Sequence, residues 1–425
     1  MTLSERFQSI RGGFAPAFWV ANTLELFERL AFYGAKAVLA YFLAKRVGLE
    51  DEAGTLTGWF STLIYSLPIV AGVFVDKYGF RKTLLTCFAI FSVGYFLIGV
   101  AGMEWGQGIT QMIGVRNYVI IVLVLTAIGG SLIKPCIVGT VAKTSKPDSK
   151  ALGFSIYYTL VNFGGSIGPM IALYIRKDWG IEYVLVMSSI TSALLFIGTF
   201  FFFKEPKVEG ETSEIRTFKK VFQDMLLVFT NFKFISFLII FSGLWLMFWQ
   251  IFYLLPFYAT DYLQFEDFEL LETVDAVGII FFTMPMAALV RKWKPIQAML
   301  LGLILASVSW LMIGAFGTVW AVVAGIFIYA LGEATQAPRF YEYVASLAPQ
   351  NQVGTFMGFA FLPVAVGSLT AGYVADWLRL TYLQTNPNLM WFMVAGIGGV
   401  TTTLIIIYNY IFASSTNNQQ LTTNN

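Results

Sequence analysis

The sequence contains no histidine and only two cysteines, Cys87 and Cys136, and both cysteines fall inside apolar runs. Histidine and cysteine are the usual ligands of zinc and of most transition metals, so their scarcity argues against a catalytic metal centre. With no imidazole present, any proton handling near neutral pH must use carboxylates. We therefore expect no metal site and no cofactor.

Charge is scarce as well. Only 12% of the 425 residues are charged and 57% are hydrophobic, which is more apolar surface than a soluble domain can bury. The formal net charge is +2 and the basic residues are dispersed, so nothing resembles the basic stripe of a nucleic-acid-binding protein. The N-terminus lacks a short apolar core followed by a small-residue cleavage site, so we expect the first apolar stretch to remain a membrane helix. The expected partner is the lipid bilayer, with no nucleic acid.

Twelve apolar runs are long enough to cross a hydrocarbon core, which takes about twenty residues. The predicted spans are Ala15 to Ala44, Thr55 to Val75, Thr83 to Gly102, Asn117 to Ala142, Ala151 to Ile175, Glu182 to Phe203, Phe232 to Tyr258, Leu271 to Val290, Ile296 to Phe316, Thr318 to Tyr343, Val353 to Ala375 and Leu389 to Phe412.

A polar stretch at 204–231 divides these spans six and six. Within it, apolar residues recur at helical spacing, which indicates an amphipathic helix lying on the membrane: Phe218, Val221, Phe222, Met225 and Leu226. The sequence thus predicts an all-α integral membrane protein of twelve transmembrane helices. We expect one six-helix bundle at 1–203, a cytoplasmic linker at 204–231, a second bundle at 232–413 and a disordered polar tail at 414–425.

The distribution of basic residues sets the expected orientation. Most of the 27 Lys and Arg residues fall in loops that are cytoplasmic if both termini are cytoplasmic. The loop from Asp261 to Glu269 carries four acids and no Lys or Arg, as an external loop can. We expect a multi-pass protein of the cell membrane with both termini inside.

Between the second and third spans the sequence reads GxxxDKxGxRK, and the defining positions are Gly72, Asp76, Lys77, Gly79, Arg81 and Lys82. This resembles the loop signature of the major facilitator superfamily, whose two six-helix halves alternate access to a site near the membrane midplane. The resemblance implies gating roles for Gly72, Asp76 and Arg81. The alternative is that the basic residues only follow the positive-inside rule.

Ionisable residues inside the spans are the most informative, because a charge at the bilayer centre costs at least about 2.5 kcal/mol. In the first span Glu25, Glu28, Arg29 and Lys36 share one helix face at 100° per residue, with Tyr33 at its edge. Further charges lie in the fourth, eighth and tenth spans: Lys134, Asp275 and Glu333.

These charges have a structural and a functional interpretation. As locked salt bridges they would only hold helices together, but desolvation can cancel the Coulomb gain of a buried pair. Several such groups in one membrane protein favour a transport relay. Arg339 and Glu342 stand one turn apart at a span end, where mutual pairing explains them, and we do not include them in a site.

The chain also resembles the proton-dependent oligopeptide transporters, densely in the first six spans and sparsely in the rest. The matches are ExxER at Glu25, Glu28 and Arg29 with the following FYGAK run, Tyr65, GSLIKP around Lys134, GFSIYYTLVNFG with Asn162, and Gly332–Glu333 with the later prolines. Five matches at family spacing are more specific than any single motif.

Departures from that family concern the substrate more than the fold. Lys36 stands where the family has an arginine, which keeps the charge but loses a bidentate fork. Trp249 stands four residues after Trp245, where the family often has a glutamate, and Ala360 replaces a tryptophan. Asp275 occupies an asparagine position and could restore an ionisable group to the second half.

The resemblance implies a proton-coupled symporter of small solutes, with di- or tripeptides as the first candidates, driven by the proton gradient and acting as a monomer. Proton coupling is expected of Glu25, Glu28, Arg29, Lys134, Glu333 and Asp275. Substrate contact is expected of Lys36, Tyr33, Tyr65, Asn162 and Trp245.

Other functions stay open at this stage. The same relay could carry a non-peptide cargo such as nitrate, a modified sugar or an exported drug. An intramembrane enzyme is a remote alternative, because the sequence has no HExxH motif, no paired intramembrane aspartates and no histidine base. We expect no enzymatic activity. A receptor or a purely structural membrane protein would not need Glu25, Glu28 and Lys134 buried together.

Overall fold

The computed structural model describes residues 12–206, 217–349 and 352–422, and every long element in these ranges is a helix. The first half contains α1 Pro16–Lys45, α2 Ala53–Ser66, α3 Pro68–Tyr78, α4 Phe80–Val100, α5 Gln107–Ile113, α6 Val115–Ser131, α7 Ile133–Thr144, α8 Lys150–Asp178 and α9 Ile181–Phe202. The linker helix is α10 Phe218–Thr230. The second half contains α11 Phe232–Tyr253, α12 Phe268–Leu289, α13 Pro295–Phe316, α14 Val319–Leu347, α15 Val353–Gly358, α16 Leu362–Tyr382 and α17 Pro387–Thr422.

Within the described ranges, nine helices are long and apolar enough to cross a membrane, and the bent pair α2–α3 makes ten if it is one span. Helices α1 and α8, of 30 and 29 residues, are also long enough but are not among the nine. In α1 the buried acids and bases lower the apolarity of the helix. The multi-pass helical architecture agrees with the sequence, while the count of twelve stays a prediction.

Two spans of the first half are broken, each next to a proline. Helices α2 and α3 meet at 46°, with Pro68 as the first residue of α3. Helices α6 and α7 are separated at Leu132, three residues before Pro135. Proline has no N–H for the helix ladder and its ring collides with the carbonyl four residues earlier, so it bends a helix at that point.

The described chain divides into two compact units. The first contains the residues up to Leu56 together with Leu63–Val221, and the second contains Thr57–Thr62 and the residues from Phe222 onward. Helix α10 lies where the linker helix was expected. Its apolar side chains Phe218, Phe222 and Leu226 are exposed, whereas Val221 is buried.

Within the first unit, α1 and α8 cross at glycines. A Cβ on Gly164 would lie 2.5 Å from the Arg29 Cβ, and one on Gly168 would lie 2.6 Å from the Leu30 carbonyl oxygen. Likewise, a Cβ on Gly34 would lie 3.1 Å from the Gly168 carbonyl oxygen. Small residues let membrane helices approach backbone to backbone, so this crossing sets α8 against the charged face of α1.

The last helix continues close to the end of the chain, and the expected disorder at 414–425 stays a prediction. Helix α17 continues to Thr422, and only 423–425 lie outside the described residues. The sequence Ala413–Thr422 contains no glycine or proline, so it has no residue that would stop the helix.

Candidate functional site

Helix α1 brings three of the expected residues into one buried cluster. The side chains of Glu25, Glu28 and Arg29 are 0%, 2% and 3% exposed. Arg29 donates to both carboxylate oxygens of Glu28, through Nε and through Nη2, the second at 2.7 Å, while Glu25 Oε1 lies 3.5 Å from Arg29 Nε. The guanidinium carbon also lies 4.5 Å from the centre of the Phe32 ring, in cation–π range.

Lys134 joins this cluster from α7. It is the second residue of that helix, directly after the break at Leu132, and its Nζ lies 3.7 Å from Glu25 Oε1. Two acids and two bases therefore lie together within the first unit. Lys134 is the most exposed of the four, with 22% of its side chain accessible.

The two glutamates differ in their pairing. Glu28 forms a bidentate hydrogen-bonded pair with Arg29, the strongest arrangement of these two groups. Glu25 is fully buried and accepts no hydrogen bond within the described residues, although two cations lie 3.5 and 3.7 Å from it. Glu25 is therefore the carboxylate that can gain a proton without losing a hydrogen bond.

Four of the five residues expected to meet a substrate are distributed along α1, α2 and α8. Lys36 is buried and its Nζ lies 5.3 Å from the centre of the Tyr33 ring. Tyr65 is partly buried in α2. Asn162 uses its amide to donate to the Tyr158 carbonyl oxygen at 2.9 Å, one turn earlier on α8. Of these, Lys36 and Tyr33 adjoin each other on α1.

In the second unit, α12 and α14 carry Asp275 and Glu333. The two helices touch closely, since a Cβ on Gly278 would lie 2.6 Å from the Ala330 Cβ. Gly278 and Ala330 lie three residues from Asp275 and Glu333, one turn along their helices, and Tyr329 beside Ala330 donates its hydroxyl hydrogen to the Leu244 carbonyl oxygen at 2.9 Å. The two predicted carboxylates thus share a neighbourhood.

Trp245, on α11 of the same unit, has a buried indole N–H that finds no acceptor within the described residues. Its ring packs edge-on against Phe248, with centroids 5.3 Å apart. An unsatisfied buried donor of this kind suits contact with a polar ligand atom.

Trp249, which replaces the expected glutamate, is fully buried. It stacks on Tyr253, with ring centroids 5.4 Å apart, and its N–H donates to the Val364 carbonyl oxygen at 3.3 Å. Ala360 is 2% exposed. Both departures therefore have packing roles within the second unit.

Sequence reasoning missed several buried ionisable residues of the second unit. Glu269 was assigned to an external loop, but α12 begins at Phe268 and buries Glu269 completely. Glu272, one turn further on, is 3% exposed, and Asp376 and Arg379 lie 3.9 Å apart on α16. Glu272 was detectable, because it falls inside a predicted span three residues before Asp275.

The predicted gating loop is organised by a residue that the motif did not include. Glu205 accepts hydrogen bonds from the backbone N–H groups of Phe80 and Arg81, at 2.7 and 2.8 Å, at the start of α4. Gly79 has φ +82°, and a Cβ there would lie 2.9 Å from Glu205 Oε1. The glycine of the motif is thus required by backbone geometry and by the approach of Glu205.

The three predicted gating residues do not form a cluster of their own. The Arg81 guanidinium donates to the Phe200 carbonyl oxygen, and Asp76 is exposed with no ion pair among the described residues. A Cβ on Gly72 would have no neighbour within 4 Å. Their gating roles stay predictions.

Sequence reasoning also missed Tyr157 on α8. Its hydroxyl accepts a hydrogen bond from Lys134 Nζ at 2.9 Å, and its side chain is 9% exposed. Tyr157 lies in an aromatic run, IYY, where periodicity does not distinguish a packing residue from a polar contact.

Comparison with known proteins agrees with this architecture. The sequence model of the Major Facilitator Superfamily matches residues 24–372. The multidrug resistance protein MdtH of Salmonella paratyphi B is 24% identical over 339 residues, which are 79% of each chain, and MdtH of Salmonella newport matches to the same extent.

Solved structures of similar fold include the peptide transporter POT in complex with sulfate, with a TM-score of 0.75 and 18% identity over 96% of this chain and 98% of that one. A POT family transporter in complex with 5-aminolevulinic acid has a TM-score of 0.74 and 16% identity over 92% and 95%. At these identities the likeness concerns the fold. The helical spans, the loop signature and the matched model together show that this chain is a transporter of the major facilitator superfamily.

Proposed function

We propose that this transporter is a proton-coupled symporter of small zwitterionic or anionic solutes, with short peptides as the first candidate. The observation that carries the proposal is the buried cluster of Glu25, Glu28, Arg29 and Lys134. Four ionisable groups in a membrane-spanning unit are costly to bury, and a relay that needs to exchange partners explains their presence better than stability does.

The proposed coupling uses the unequal pairing of the two glutamates. Glu28 keeps Arg29 through two hydrogen bonds, while Glu25 has only longer ion pairs with Arg29 and Lys134. A proton on Glu25 would remove the negative charge nearest to Lys134, and the ammonium charge would become available to another anionic group. Substrate that binds one arrangement better than the other then shifts the conformational equilibrium.

The proposed substrate contacts are assigned by charge. In the first unit Lys36 would bind a carboxylate beside Tyr33, and in the second unit Asp275 and Glu333 would take part in proton coupling. The Trp245 N–H would donate to a carbonyl oxygen. Proton gradient, bilayer and solute are the proposed partners of a single chain, whose termini both lie in the cytoplasm.

Proton-driven export of drugs is the second candidate. The MdtH relatives are named multidrug resistance proteins. Trp249 supports this alternative, because it fills the position of a family carboxylate with an apolar ring that cannot meet a peptide amine.

Uptake of labelled dipeptides into proteoliposomes with an alkaline interior tests the proposal. We expect accumulation that disappears in Glu25→Gln and persists in Glu104→Gln, an exposed acid without a described ion pair. No accumulation across a broad dipeptide panel would remove the peptide assignment. Gradient-dependent expulsion of a preloaded dye would then identify the exporter.

A further inference from the structure

Lys134 has two partners in the cluster, and they are not equivalent. Its Nζ lies 2.9 Å from the Tyr157 hydroxyl oxygen but 3.7 Å from Glu25 Oε1. The first distance is a hydrogen bond, and the second is an ion pair beyond hydrogen-bond range. The ammonium is therefore bonded to the tyrosine, although a fully buried carboxylate lies nearby.

The fold fixes the position of this tyrosine. Gly164 and Gly168, which contact α1, follow Tyr157 by seven and eleven residues, so each lies within about 20° of Tyr157 on one face of α8. The backbone contact between α1 and α8 consequently sets the Tyr157 hydroxyl beside the charged cluster. The tyrosine ring adds a second contact, with Lys134 Nζ 5.4 Å from its centre.

The remaining groups around Lys134 explain why a neutral acceptor matters. Glu25, Glu28 and Arg29 face it from α1, and Tyr157 faces it from α8. When Glu25 takes up a proton, Lys134 loses its nearest opposite charge while Arg29 stays paired with Glu28. A buried cation without an acceptor is costly, and the tyrosine oxygen remains an acceptor whether or not Glu25 is charged.

We propose that Tyr157 is a positioning residue that holds the Lys134 ammonium beside Glu25 and keeps it partnered when that carboxylate is protonated. The coupling role rests on the proposed function, whereas the positioning of Lys134 does not. Tyr157 therefore lowers the cost of the protonated arrangement, and its hydroxyl is the part of the side chain that does so.

The test uses Tyr157→Phe, which keeps the ring and removes the hydroxyl. The matched control is Tyr118→Phe, which removes a buried tyrosine hydroxyl that donates to the Leu97 carbonyl oxygen at 2.8 Å in the same unit. Reductive methylation of the purified full-length protein, followed by mass spectrometry of the peptide containing Lys134, reports how firmly the lysine is held. We expect labelling of Lys134 to rise about tenfold in Tyr157→Phe and to stay at the wild-type level in Tyr118→Phe.

Transport provides a second readout. If Tyr157 had only a structural role, its loss would reduce gradient-driven accumulation and exchange at equal pH to the same extent. In proteoliposomes we expect Tyr157→Phe to lose about tenfold of gradient-driven accumulation while exchange at equal pH stays within about twofold of wild type. Unchanged Lys134 labelling in Tyr157→Phe, or an equal rise in Tyr118→Phe, overturns the positioning role. Equal losses in both transport modes overturn the coupling role. If the wild-type protein shows no gradient-driven accumulation, the proposed symport fails, and the labelling result still decides the positioning.

Discussion

Gly164 lies so close to Arg29 that a methyl group on the glycine would stand 2.5 Å from the arginine Cβ. The glycine is thus part of the charged site, although it carries no functional group. Its contact brings α8 onto α1 at the level of the paired charges, and the same face of α8 carries Tyr157.

Replacement of this glycine is expected to disturb both packing and transport. Gly164→Ala forces the helices apart or displaces Arg29, at a cost of about 1 to 3 kcal/mol. Thermal unfolding in detergent should show a lower melting temperature, together with loss of uptake. Gly198→Ala is the control, because its Cβ would meet Leu24 Cδ2 at an ordinary 3.7 Å. Equal melting temperatures of the two variants would contradict the role of the crossing.

The bidentate pair of Arg29 and Glu28 predicts that a positive charge alone at position 29 does not maintain stability and transport. Arg29→Lys keeps the positive charge but cannot supply the planar fork or stack equally on Phe32. We therefore expect the free energy of unfolding to fall by about 1.5 to 3 kcal/mol and gradient-driven transport to be lost. Arg46→Lys is the control, because the Arg46–Glu182 pair, at 2.8 Å, is 42% exposed at the arginine. A fully active and stable Arg29→Lys would show that the fork is dispensable.

The proposed contact between Lys36 and a substrate carboxylate predicts that Lys36→Arg changes substrate affinity, because this substitution keeps the positive charge and alters the geometry of the donor groups. If Lys36 binds a substrate carboxylate, Lys36→Arg restores a fork and should lower the KM for dipeptides by about tenfold. Dipeptides with an amidated C-terminus are the control substrates, since they have no carboxylate for the fork. An equal change for free and amidated peptides would place the carboxylate elsewhere.

Glu205 predicts a stability effect at the loop between α3 and α4. Glu205→Ala leaves the N–H groups of Phe80 and Arg81 without their acceptor and removes a negative charge from a helix N-terminus, at a cost of about 1 kcal/mol. We expect a lower melting temperature and faster proteolysis near residue 80. The exposed Glu104→Gln serves as control, and identical proteolysis of both variants would argue against the cap.

The charged face of α1 could be predicted from the sequence because helical periodicity alone places Glu25, Glu28 and Arg29 together. Lys134 required the family resemblance, since no local pattern indicates which helices will meet. Tyr157 was not predictable, because its role depends on a hydrogen bond to another helix. In the same way, the motif around Gly79 gave no sign of Glu205, which is 126 residues away.

The second unit was harder to predict for a different reason. Glu269 stands at a loop boundary, where one residue decides between solvent and burial, and α12 starts one residue before it. Trp249 was recognised as a departure, but its burial follows from the packing of α11 against α16, which spacing does not determine.

The enclosure of Trp249 limits what mutation can restore at that position. A Trp249→Glu substitution would abolish the stack on Tyr253, leave the Val364 carbonyl oxygen without its donor and place a carboxylate in a space shaped for an indole. Glutamate at this position would therefore be destabilising unless its neighbours changed as well. Introducing a carboxylate into this part of the second unit will require replacing the surrounding aromatic layer as a set.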